Sequence, residues 1–102
     1  MLETVITKPI YRILTALTRE ERVEVALPLA MKDWVRLRLH EAQDQRRTYE
    51  QRYGMDFAAF KRDWHADRIP EAHSYETERA YWEWEAIVTD EERLQQIAES
   101  LP

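Results

Sequence analysis

Three histidines and twenty carboxylates are the residues of this 102-residue chain that could hold a metal or carry a proton. His40 and Asp44 stand four apart, a spacing at which two side chains on one helix face can share a zinc ion. The zinc pattern His-Glu-x-x-His needs a second histidine where Asp44 stands, and no third ligand is evident, so the plainer reading is a polar helix face. Asp63, His65, Asp67, Glu71 and His73 gather in one short stretch that could in principle hold a divalent ion. Their spacing alone suggests it, and such residues are common in loops. Glu76, Glu78, Glu83 and Glu85 are dense enough to mimic a two-carboxylate or di-metal site. No histidine and no second carboxylate-bearing helix of matching spacing accompanies them, which favours a solvated face. No Ser/His/Asp or Cys/His set, phosphate loop or dinucleotide fingerprint is present. The reading is therefore of no catalytic residues, no metal site, no cofactor and no enzyme.

The four carboxylates belong to a stretch, Ser74 to Val88, that also holds Tyr75, Tyr81, Trp82 and Trp84, four of the eleven aromatic residues. Tyr75 and Trp82 fall on one helical face at i, i+7, and Tyr81, Trp84 and Val88 on another. A core this small buries both faces only if the helix is central to it. Trp and Tyr are favoured interface anchors, so one stripe is expected to meet a protein partner. The partner-contact residues expected are Tyr75, Glu78, Trp82, Glu83, Trp84 and Glu85, with Tyr81 and Val88 facing inward.

Charge points the same way. Residues 1–53 carry ten Lys/Arg against eight Asp/Glu, whereas residues 54–102 carry five against twelve. An acidic half disfavours direct binding to nucleic acid and suits a basic protein partner. The chain has no cysteine, which excludes disulfides and thiolate metal sites and is compatible with a reducing cytoplasm. The start lacks the basic and apolar run of a signal peptide, and no apolar stretch is long enough to span a membrane. The expectation is a cytoplasmic protein.

The elements that must position these residues are helical. One glycine and four prolines leave little turn chemistry for strands, and helix-favouring residues dominate. The fold class expected is all-α: a single domain over 1–102 with four or five helices, one long and central, the last acidic and aromatic, in an elongated molecule. Residues 1–7 read as a short extended arm. Ile10, Ile13, Leu14 and Leu17 predict a helix at about 8–17, and Thr18-Arg-Glu-Glu21 reads as a capping box opening a second. Pro28 either kinks that helix or divides it. The apolar stripe Val35, Leu39, Ala42, Tyr49 and Tyr53 then continues to Gly54, a residue suited to ending a helix in the left-handed conformation. From Pro28 to Tyr53 is a rod of about 39 Å, longer than a compact domain of this size. Asp56 caps a short helix at about 57–66 bearing Phe57, Phe60 and Trp64. A linker with Pro70 follows, and Ser74 caps a last helix from about 75 to 99, helical phase holding across Thr89-Asp-Glu-Glu92.

Two resemblances add to this. Arg68-x4-His73 resembles the motif of HEPN ribonucleases, small all-α proteins in which such a His is the general acid/base and the Arg steadies the phosphate. Here Pro70 separates the pair, and Ile69 stands where that family has a polar residue. The alternative function this implies is a metal-independent ribonuclease. Secondly, Tyr53-Gly-Met-Asp-Phe57, Phe60, Ser74-Tyr-Glu and Tyr81-Trp-Glu-Trp-Glu-Ala86 resemble short helical antitoxin-like proteins of bacteria and archaea. In these a long helix ends in Tyr-Gly-Met, a short Phe-bearing helix follows, and an acidic-aromatic helix closes the chain. The resemblance covers residues 30–95 and implies a non-enzymatic protein that binds and silences a small, basic, ribonuclease-like toxin encoded nearby. It brings no catalytic set. Residues 1–25 lie outside it, and their apolar helix could serve a homodimer; residues 74–102 would bind the partner. A third reading is a structural homo-oligomer in which overhanging long helices pair.

Overall fold

The computed structural model describes residues 6–102, and among these the chain is four α-helices without strands: α1 (Lys8–Thr18), α2 (Val23–Tyr53), α3 (Phe57–His65) and α4 (Tyr75–Ser100). For residues 1–5 the extended arm expected at 1–7 lies outside the described residues; Thr7 is extended and precedes α1. Pro9 sits in the first turn of α1, where the absent N–H has no intrahelical partner to lose.

The start of α2 differs from expectation. Thr18 does not open a helix but closes one: its Oγ1 donates to the Leu14 carbonyl at 2.7 Å, and Arg19 follows in the left-handed region at φ 55°. The hydroxyl also accepts from the Glu20 amide at 3.3 Å, so it bonds both ways across a turn rather than capping a new helix. α2 begins four residues further on, after Arg22, whose amide donates to the side chain of Glu20 at 3.1 Å. Pro28 lies inside α2 without dividing it. It is the sixth helical residue, so the bond it forgoes would have reached the Glu24 carbonyl near the helix start, and every later turn is intact.

α2 is thus 31 residues long, about 46 Å at the usual rise. It sets the shape of the molecule, which extends 56 × 23 × 23 Å with a radius of gyration of 19.6 Å, against about 13 Å for a compact chain of this size. Gly54 ends it at φ 69°, its amide returning to Glu50 at 2.8 Å. Asp56 then caps α3 by accepting from the Ala59 amide at 2.9 Å, and Ser74 caps α4 by accepting from Thr77 at 3.2 Å. Glu76 and Glu78 in the first turn of α4 complement its positive end. Thr89 to Glu92 form no second start, and α4 is continuous for 26 residues.

α4 packs along α2, α1 on the beginning of α2, and α3 on α4. The core gathers at the Gly54 end: Phe57, Phe60, Ile69, Ala72, Tyr81 and Trp84 are buried, with Tyr49, Tyr53, Met55, Trp64 and Val88 packed around them. From there a thinner seam of Val35, Ala42 and Leu94 joins α2 to α4. Arg46 fastens its middle with ion pairs to Glu91 on α4 at 2.8 Å and to Glu50 one turn along α2 at 2.9 Å. No described helix is long and apolar enough to cross a membrane.

Candidate protein-binding surface

The two aromatic stripes of α4 part company in the fold. Tyr81 and Val88 face inward as expected, and so does Trp84, which corrects its assignment as a partner contact. Trp84 is wholly buried. Its indole stacks on Tyr49 (centroids 5.5 Å apart) and Tyr53 (5.7 Å) of α2, and meets Phe57 and Phe60 of α3 at a tilt (5.3 and 5.0 Å). Four aromatic rings from two other elements converge on this one position, which is why Trp84 and not Trp82 lies inside. Its Nε1 has no acceptor among the described residues.

Two residues earlier, Trp82 is turned by about 200° around the helix axis and is 62% exposed. Its ring stands edge-on against buried Tyr81, centroids 5.1 Å apart, so it is braced from behind while its outer face is bare. Tyr75, Glu78, Trp82 and Glu85 follow one another at spacings of three, four and three, an unbroken stripe on the outside of α4. Tyr75 is 77% exposed at the first turn. Glu78 is 3.7 Å from His73 Nδ1, and Glu85 is 3.7 Å from Lys61 Nζ of α3.

Glu83 has a different setting. Its carboxylate accepts from the Tyr49 hydroxyl at 2.6 Å and from Arg79 Nε at 2.7 Å, on the side of α4 that meets α2. The Tyr49 bond, and then the Arg79 bond, hold its pKa below the ordinary value. Burial, and then the bond to Glu83, push the Tyr49 phenol up to about 12. Glu83 thus belongs to the α2–α4 junction, beside a groove of about 370 Å³ that it lines with Tyr75, Arg52 and Arg79.

A wider groove of about 760 Å³ opens beside Trp82, where α3 meets α4. Ala58 and Lys61 of α3 form one wall, and Glu85, Ala86, Thr89 and Arg93 of α4 the other. Lys61 and Arg93 had no signal in the sequence, because the groove exists only once α3 folds back on α4. The floor beside Trp82 is apolar and its rims carry both signs of charge, the anatomy of a protein-docking site with an aromatic anchor.

The residues that could do chemistry are not assembled. Arg68 and His73 turn to different carboxylates, Asp63 at 3.8 Å and Glu78 at 3.7 Å, and both side chains are largely in solvent. His40 and Asp44 do approach, Nε2 to Oδ2 3.5 Å, on an exposed turn of α2. Among the described residues no group of three or more His, Asp or Glu side chains is placed to hold a metal ion.

Compared with models of protein families, with curated proteins and with solved structures, the chain gives no match.

Proposed function

We propose that this chain is a non-enzymatic binding protein that docks the outer stripe of α4, Tyr75, Glu78, Trp82 and Glu85, on a basic protein. In its fuller form the proposal is an antitoxin-like component that neutralises a small ribonuclease-like toxin encoded beside it. The observation that supports it most is Trp82, a large aromatic ring set edge-on against Tyr81 at the edge of a groove and left mostly exposed. A pre-positioned ring loses little freedom on binding, which is what makes Trp an effective anchor. Glu78 and Glu85, one turn to either side, would steer a basic surface toward it and fix its register. Glu83 contributes indirectly, by joining Tyr49 and Arg79 so that α4 is held square on α2.

Co-expression with the product of the adjacent open reading frame tests this. The expected result is a co-purifying complex and rescue of growth from the neighbour's toxicity, both lost in Trp82→Ala. Absence of both complex and rescue with the unaltered protein would sink the proposal.

A further inference from the structure

Eight of the eleven large apolar side chains that stay exposed among the described residues lie between Ile10 and Leu37, on α1 and the first half of α2. That end of the rod is remote from the aromatic core. On α1, Leu14 turns in against α2 and is buried, while Ile10, Ile13 and Leu17 form a neighbouring stripe at i, i+3, i+7, exposed by 55%, 61% and 76%. Pro9 and Ala16, at helical spacing from Ile13, extend it. No charged residue interrupts the stripe.

We infer that this face of α1 packs against the same face of a second copy of the chain, in an antiparallel, two-fold symmetric pair. Spacing of three and four is that of a helix–helix seam, in which each side chain enters a hole in the facing helix. Antiparallel pairing sets Ile13 beside the axis against its own copy, and Ile10 opposite Leu17 of the other chain. In such a contact every group at the axis meets its like, so an uncharged stripe suits it and a charged one would not. A basic partner of the kind proposed for α4 would find no opposite charge here. The ends of α1 also favour the antiparallel sense. Residues 8–12 carry Lys8 and Arg12, and residues 19–24 carry three carboxylates against two guanidinium groups. Antiparallel pairing brings the basic start of each α1 to the net-acidic turn and α2 start that follow the other, and opposes the two helix dipoles, whereas parallel pairing would set like on like. Pairing of this face takes Ile10, Ile13 and Leu17 of each copy out of water without burying a charge.

The test reads mass and cross-linking, so it is independent of whether α4 binds anything. Sedimentation equilibrium of the full chain at tens of micromolar should return twice the 12.4 kDa chain mass. Ile13→Glu, at an exposed site outside the core, should keep its helical circular dichroism and weaken the dimer by about 30-fold or more. A wild-type chain that stays monomeric, or a dimer indifferent to Ile13→Glu, overturns the inference. Because the chain has no cysteine, Ile13→Cys and Leu17→Cys each introduce a single thiol. Under mild oxidation Ile13→Cys should form the disulfide-linked dimer faster; equal rates, or a faster Leu17→Cys, overturn the antiparallel geometry.

Discussion

The Tyr49 hydroxyl donates a 2.6 Å hydrogen bond to Glu83, across 34 residues of sequence and between the two long helices. The same tyrosine stacks on Trp84, the next residue of α4. One side chain of α2 thereby fixes both the rotation of α4, through the stack, and its edge, through the carboxylate. The rotation is what leaves Trp82 outside.

This bond sets a pH signature with two edges. Glu83 is held below its ordinary 4.5 by Tyr49 and then Arg79, so its stabilisation is present above that value and is lost as pH falls through the lower folded one. Tyr49 is raised from 10.0 to about 12 by burial and then by Glu83, so its stabilisation is present below 10.0 and is lost as pH rises toward 12. Urea midpoints measured across pH should therefore fall at both ends, and less steeply in Tyr49→Phe. A Tyr49→Phe profile parallel to the wild type would contradict the account.

The two tryptophans of Trp82-Glu83-Trp84 should behave oppositely. Trp84→Ala removes a fully buried ring from a cage of four others and is expected to cost about 3–5 kcal/mol in chemical denaturation. Trp82→Ala touches an exposed site and should change stability by no more than about 0.5 kcal/mol. Equal losses at the two positions would mean that α4 is rotated relative to this structure.

The helix ends at Gly54, Asp56 and Ser74 were legible in the sequence because each depends on one local property: a positive φ, or a short oxygen-bearing side chain at the N-cap. The start of α2 was not, since Thr18 bonds both back to Leu14 and forward to Glu20, and it is the left-handed turn at Arg19 that ends one helix before the next begins. The two stripes of α4 follow from helical period alone. Which of them is inner depends on Tyr49, Tyr53, Phe57 and Phe60 converging on Trp84, a tertiary fact that local spacing does not contain. Of the six expected contact residues, Tyr75, Glu78, Trp82 and Glu85 share the outer stripe, Trp84 is in the core and Glu83 joins the helices.

Arg46 is the polar fastener of the thinner α2–α4 seam. Glu91 is the more buried of its partners, its side chain only 12% exposed. Arg46→Ala should destabilise by about 1–3 kcal/mol, because it strips Glu91 of a charged hydrogen-bond partner. Hydrogen exchange should rise first in the C-terminal half of α4. Unchanged exchange there would place the seam's stability elsewhere.

Gly54 meets nothing within 4 Å of where a Cβ would sit, so space is not the constraint on it. Its φ of +69° is. Gly54→Ala is thus expected to cost about 1–2 kcal/mol through backbone strain alone, without disturbing the packing of α3. A neutral Gly54→Ala in thermal melts would show that the left-handed turn is dispensable.

The proposed function has the outside of α4 bind a protein through Trp82. The most direct measurement is the dissociation constant of the complex with the adjacent gene's product, by calorimetry, for the wild type and for Trp82→Ala. Trp82→Ala is expected to weaken binding by about 30-fold or more while its thermal midpoint stays that of the wild type. Equal affinities, or no binding by the wild type, would contradict it.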